Sequence, residues 1–145
     1  LTNMTYTLYA DGGSRGNPGS AAIGIVIEGI GDKKEYGEFI GVTTNNEAEY
    51  QAVIFALKKL KQLIGNDKAE SSVVVFYMDS ELLVKQLNHQ YKVKEENIQK
   101  LFLEVHNLQL DFGKIEFKHV LRGKNIGADK LVNQVLDRES NKLDL

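Results

Sequence analysis

A chain of 145 residues, 42% hydrophobic and 26% charged, has the size and make-up of one soluble globular domain. It has no cysteine and no apolar run near the roughly 20 residues that cross a bilayer, which excludes disulfides, thiolate metal sites, cysteine nucleophiles and a candidate membrane helix. A formal net charge of −2 excludes a broadly basic surface, so any binding of phosphate has to rest on local charge. The expectation is a single domain over residues 1–145, monomeric and cytoplasmic, with no basic-then-apolar leader behind a start that is Leu1 rather than Met.

In chain order, Met4–Ala10 alternates and carries Tyr6, Thr7 and Tyr9, which predicts a strand. It runs into Asp11-Gly12-Gly13-Ser14-Arg15-Gly16-Asn17-Pro18-Gly19, whose glycines, Asn and Pro predict a loop. Ala21–Ile30 and Lys33–Ile40, with Gly31-Asp32 between them, read as an antiparallel hairpin. Asn45–Leu63 has apolar residues at helical spacing, at Val53, Ala56, Leu57 and Leu60. Ser72–Met78 reads as a buried strand, and Ser80–Asn88 and Asn97–Leu110 as helices joined by the basic linker Tyr91-Lys92-Val93-Lys94. Ile115–Val120 is a further strand and Ala128–Arg138 a closing helix. The order β-β-β-α-β-α-α-β-α implies an α/β domain, a mixed sheet with helices on its faces, and such sheets gather ligands at the carboxyl ends of parallel strands.

Four acids stand where such a site would form. Asp11 and Asp79 each follow the end of a predicted strand, so parallel neighbours would bring them to one edge. Each also has an ordinary reading, since Asp opens turns and Asp79 could cap the next helix. Glu47 and Glu49 point roughly opposite ways at about 100° per residue. Glu49 precedes Val53 by four and Ala56 by seven, on the apolar face, whereas Glu47 shares its side with Gln51, Ile54 and Lys58. Thr44 three before Glu47, and Asn46 three before Glu49, make a helix cap an open reading for both acids, but only Glu49 also points inward. Asp129 precedes Val132 by three and Leu136 by seven and so shares a buried stripe, with a first-turn role at the helix dipole as the alternative. Carboxylates on apolar faces are costly unless paired or bound to metal. Oxygen ligands without His or Cys suit Mg²⁺ or Mn²⁺, and two such ions can clamp both oxygens of a phosphodiester displacement.

Tyr9–Gly19, Thr43-Thr44-Asn45-Asn46-Glu47-Ala48-Glu49, Asp79-Ser80 and Asn125-Ile126-Gly127-Ala128-Asp129-Lys130-Leu131 together resemble the type I ribonuclease H family, over nearly the whole chain. The resemblance implies a five-stranded mixed sheet in the order 3-2-1-4-5, and places the family's catalytic, metal-binding acids on Asp11, Glu49, Asp79 and Asp129. It implies an endoribonuclease that cuts the RNA strand of RNA–DNA hybrids with two Mg²⁺ (or Mn²⁺) ions, leaving 5′-phosphate and 3′-hydroxyl ends. Double-stranded RNA stays open as a second substrate. Substrate contacts would fall on Gly12, Ser14, Arg15 and Asn17 of the loop, on Asn45 and Asn46 towards the minor groove, and on Thr44 at a DNA phosphate.

The chain departs from the family's pattern twice. Val120-Leu121-Arg122-Gly123-Lys124-Asn125 is short and lacks the histidine many members carry before the last helix. Arg122 stands there instead, readable as a phosphate-steering group or a solvated loop arginine. The basic protrusion between the middle helices is reduced to Tyr91-Lys92-Val93-Lys94, with Lys85 and Lys100 nearby, which implies weaker and strongly salt-sensitive substrate binding. Two other classes stand against the nuclease. A non-catalytic nucleic-acid-binding module of the same fold conflicts with clustered acids, which repel a phosphate backbone unless metal neutralises them. A nucleotide-phosphate cradle conflicts with a loop that does not read Gly-x-x-x-x-Gly-Lys-Ser/Thr.

Overall fold

The computed structural model describes residues 4–143. Its strands are β1 (Met4–Gly16), β2 (Gly19–Glu28), β3 (Lys34–Thr43), β4 (Ser72–Met78) and β5 (Lys114–His119), in one sheet ordered β3-β2-β1-β4-β5. β1 is antiparallel to β2 and β2 to β3, whereas β4 lies parallel to β1 and β5 parallel to β4. The helices are α1 (Asn45–Ile64), α2 (Asn66–Glu70), α3 (Glu81–Leu87), α4 (Glu96–Gln109) and α5 (Ile126–Leu143), with a 3₁₀ turn at Arg122–Lys124. This is the expected mixed sheet with helices on both faces.

The two faces explain two patterns in the sequence. On β1, Tyr6, Leu8 and Ala10 are buried in one cluster with Val53, Ala56, Leu57 and Leu60 of α1, while Thr7 and Tyr9 between them stay half-buried. β2 is buried without a break from Ala21 to Ile27, because α1 lies over one face and α5 over the other. Ile23, Ile25 and Ile27 join the α1 cluster, and Ala22 packs with Val132, Val135 and Leu136 of α5. A strand covered on both sides has no polar face, which is why Ala21–Ile30 does not alternate. Leu8, Ile25, Ile27, Leu57 and Leu60 are all wholly buried, and each contributes on the order of 1.5–3 kcal/mol by leaving water.

The structure revises three expected boundaries. β1 does not stop at Ala10: it continues through the glycine-rich segment to Gly16, paired with β2 from Ser14↔Ala21 to Gly16↔Gly19. The loop shrinks to Asn17–Pro18, joined by a cis peptide, with Gly16 at φ +99° to make the turn. α5 opens at Ile126 rather than Ala128 and runs to Leu143, and the short α2 was not expected. Among the described residues no helix intervenes between α3 and α4, so the linker around Tyr91–Lys94 carries no protrusion.

Candidate active site

The parallel register sets the first two acids side by side. The last paired residues of β1 and β4 are Tyr9 and Tyr77, whose rings stack with centroids 5.3 Å apart. Two residues on in both segments come Asp11, on the same side of β1 as Tyr9 because side chains alternate along a strand, and Asp79, just past the end of β4.

Glycines bring the two helix-borne acids to them. A Cβ on Gly12 would stand 2.2 Å from Ala48 O and 2.7 Å from Glu49 N, so only glycine lets the first turn of α1 touch β1 there. Gly24, the cross-strand partner of Asp11, does the same for α5: a Cβ would stand 2.3 Å from Ala128 O. Asn125, 1% exposed, locks the second contact. Its Nδ2 donates to Ala10 O (2.9 Å), and its own carbonyl accepts from Asp129 N (3.1 Å). Two hydrogen bonds thus join the residue before Asp11 to the backbone of Asp129.

The result is an open cleft of about 450 Å³ lined by all four acids, Asp11, Glu49, Asp79 and Asp129, together with Gly12, Ser14, Arg15, Asn45, Ser80, Arg122 and Asn133. Glu47 is not in it. Its carboxylate accepts from Thr43 Oγ1 and Asn97 Nδ2, and its backbone N–H donates to the N-cap Thr44 Oγ1 (3.2 Å). The helix start after Asp79 is capped by Ser80, which accepts from Leu83 N (3.2 Å).

Little in the cleft balances this charge. Arg122 approaches Asp129 at 3.7 Å, but its side chain is 82% exposed. Asp79 Oδ2 is buried and has no hydrogen-bond partner, a cost that a cation would relieve. Burial, then the charges of Asp79, Asp129 and Glu49, push the Asp11 carboxyl up to about 7. Burial also raises Glu49 to about 7; a hydrogen bond from the Ser80 hydroxyl pulls the other way and Asp79 adds to the rise. The donor set is oxygen alone and fits hard divalent cations. Among the described residues no three acids close round one point tightly enough to hold an ion by themselves.

Both raised carboxyls bind protons more tightly in the folded than in the unfolded chain, where they titrate near 4. Stability of the metal-free protein therefore falls as pH rises from about 4 to about 7, and stays low above that. In EDTA the protein is expected to melt several degrees lower at about pH 7.5 than at about pH 5.5, and Asp11→Asn to recover part of that loss at the higher pH. Thermal melts of both proteins check this; a wild-type Tm equal or higher at the upper pH contradicts it.

The proposed substrate contacts divide. Gly12, Ser14, Arg15, Asn45 and Arg122 line the cleft with the acids. Asn46 instead lines a neighbouring groove with Gln86, Lys92 and Lys94, while Asn17 and Thr44 line neither. Asn45 Oδ1 accepts from Ser14 N (2.9 Å), and Asn17 Oδ1 accepts from Asn45 N (3.0 Å). With both amide oxygens engaged, the NH₂ groups of Asn17 and Asn45 are the ends left for a ligand. The sequence reading gave no role to Asn125, Gly24 or Asn133. Asn125 lay within a motif already singled out, but nothing local marks an asparagine as buried.

Fold and cleft together define an α/β domain of the ribonuclease H type. The family model described as reverse transcriptase-like matches residues 9–135. The chain is 36% identical over 137 residues to the bifunctional protein Rv2228c of Mycobacterium tuberculosis, covering 92% of this chain and 36% of that protein. It thus spans about a third of the length of the mycobacterial relatives it matches. It is 37% identical over 131 residues to ribonuclease HI of Halobacterium salinarum, covering 89% of this chain and 63% of that one. Among solved structures, LC11-RNase H1, isolated from compost by a metagenomic approach, superposes with a TM-score of 0.86 at 41% identity, covering 94% of this chain and 98% of that one. The same protein in complex with an RNA/DNA hybrid gives 0.85 at 41%, covering 92% and 98%. The chain belongs to the ribonuclease H family.

Proposed function

We propose that this chain is an endoribonuclease that hydrolyses the RNA strand of RNA–DNA hybrids, leaving 5′-phosphate and 3′-hydroxyl ends, with Asp11, Glu49, Asp79 and Asp129 holding two Mg²⁺ or Mn²⁺ ions. The observation that carries this reading is the meeting, in one cleft, of four acids from β1, α1, the end of β4 and α5, one of them with a buried and unpartnered oxygen. The hybrid complex of LC11-RNase H1 supports the choice of substrate. Bound there, the ions supply activation of the attacking water and neutralisation of charge on the leaving oxygen.

The chain's own groups account for the rest. The four carboxylates are preset by β1, β4 and the two glycine-docked helices, so nothing has to move far to assemble them. The NH₂ ends of Asn17 and Asn45 offer donors only. Minor-groove purine N3 and pyrimidine O2 are acceptors in every base pair, so such donors bind without selecting a sequence. Asn46 lines the groove that holds Lys92 and Lys94, which suits the DNA strand. Arg122 carries a positive charge to the rim beside Asp129, where it can steer a phosphate.

A labelled hybrid, the matching RNA duplex and the matching DNA duplex, each incubated with Mg²⁺, with Mn²⁺ and with EDTA, test the assignment. Cleavage of the hybrid's RNA strand with either ion, none in EDTA and an intact DNA duplex are expected. A hybrid left uncut in both ions, by protein that still binds it, would replace the enzyme with a binding module.

A further inference from the structure

α5 carries Asp129, Asn133 and Asp137 at intervals of four, which stacks them along one face of the helix. Asp129 belongs to the acid cleft and Asn133 lines its mouth, whereas Asp137 lies one turn further on, outside the lining. Arg15, near the end of β1, reaches across to this stripe. Its Nη2 donates to Asp137 Oδ1 at 2.6 Å, with Asn133 Oδ1 3.5 Å from the same nitrogen. Asn133 Nδ2 donates to Asp129 O at 3.1 Å, which leaves its Oδ1 for Arg15. Arg15 itself lines the cleft. Its remaining nitrogens, Nε and Nη1, make no hydrogen bond among the described residues.

The pair does little for stability. Its side chains are 45% and 65% exposed, and ion pairs that wet contribute almost nothing measurable. Its effect is on orientation. An unrestrained arginine spreads over many rotamers and loses that freedom on binding. Here one terminal nitrogen, Nη2, is tied to α5, and the N–H groups of Nε and Nη1 are left free to donate. Free N–H groups on a fixed, planar, permanently charged guanidinium suit phosphate oxygens.

We propose that Asp137 is a positioning residue that holds the Arg15 guanidinium at the mouth of the acid cleft, its Nε and Nη1 donors free for a phosphate of the strand being cut. The inference rests on the hybrid-nuclease reading. It makes a prediction of unusual sign. Asp137 is an acid beside a polyanion, so simple charge repulsion requires that its removal tighten substrate binding. Positioning requires the opposite, and only while Arg15 is present.

Steady-state kcat and KM on a hybrid in Mg²⁺, measured for the wild type, Asp137→Asn, Arg15→Gln, the double variant and Asp137→Glu, separate the two. Asp137→Asn is expected to raise KM about threefold to fivefold with kcat held. Arg15→Gln should raise it about tenfold, and Asp137→Glu should stay near the wild type. In the Arg15→Gln background, Asp137→Asn should leave KM unchanged or lower it. A fall or no change in KM for Asp137→Asn alone would reduce Asp137 to a repelling charge and overturn the proposal. An equal rise in both backgrounds would make the effect structural and overturn it too. A wild type that neither binds nor cuts the hybrid would remove the nuclease reading and this inference together.

Discussion

Asp79→Asn is expected to leave the protein folded and its hybrid cleavage at least about 10³-fold lower, a loss of about 4 kcal/mol of transition-state stabilisation. The substitution keeps the side chain's shape and removes one negative charge. Asp79 Oδ2 is buried without a partner, and the Asp79 charge is the largest like-charge contribution raising Asp11. Removing it relieves repulsion in the metal-free fold, so lost activity cannot be put down to lost stability. On the proposed assignment the variant loses a metal ligand, and metal-held charge stabilisation is worth several kcal/mol. Single-turnover cleavage in Mg²⁺, beside a thermal melt in EDTA, reads both halves. A folded variant within tenfold of the wild-type rate would contradict the assignment of Asp79.

The second large effect lies in a residue with no chemistry. Gly12→Ala is expected to lower the Tm by roughly 5–10 °C, the scale on which core overpacking of about 2–3 kcal/mol acts on a domain of this size. The added methyl would stand 2.2 Å from Ala48 O and 2.3 Å from Ala48 C. Both are backbone atoms in the first turn of α1, so neither can swing aside as a side chain could. The strand and the helix must part, and Glu49, the next residue, moves away from Asp11 as they do. Gly123→Ala is the matched control, because a Cβ there meets nothing within 4 Å. Calorimetry of the two variants tests this, and a Gly12→Ala Tm as close to wild type as that of Gly123→Ala would show that α1 does not depend on this contact.

Much of this arrangement was legible in the sequence because it is written in local periods. The choice of Glu49 over Glu47 came from helical facing alone, and the structure puts Glu49 in the cleft and ties Glu47 to Thr43 and Asn97. Asp11 and Asp79 were placed together by assuming parallel neighbours, which the β1–β4 ladder supplies. The glycine-rich segment was misread as loop. Glycine favours turns in isolation, but Gly12 and Gly24 serve here as gaps through which α1 and α5 reach the sheet, and that need appears only once distant segments meet. Asn125 was opaque for the same reason, since its partner, Ala10 O, lies 115 residues away. The Arg15–Asp137 contact spans 122 residues and has no local signature at all.

A Mg²⁺ titration of the metal-free protein, followed by backbone amide NMR, addresses the shared acid cleft most directly. Saturable shifts centred on Asp11, Glu49, Asp79 and Asp129, and their loss in Asp79→Asn, are expected. Shifts that leave those four residues untouched, or an Asp79→Asn variant that takes up Mg²⁺ as well as the wild type does, would contradict it.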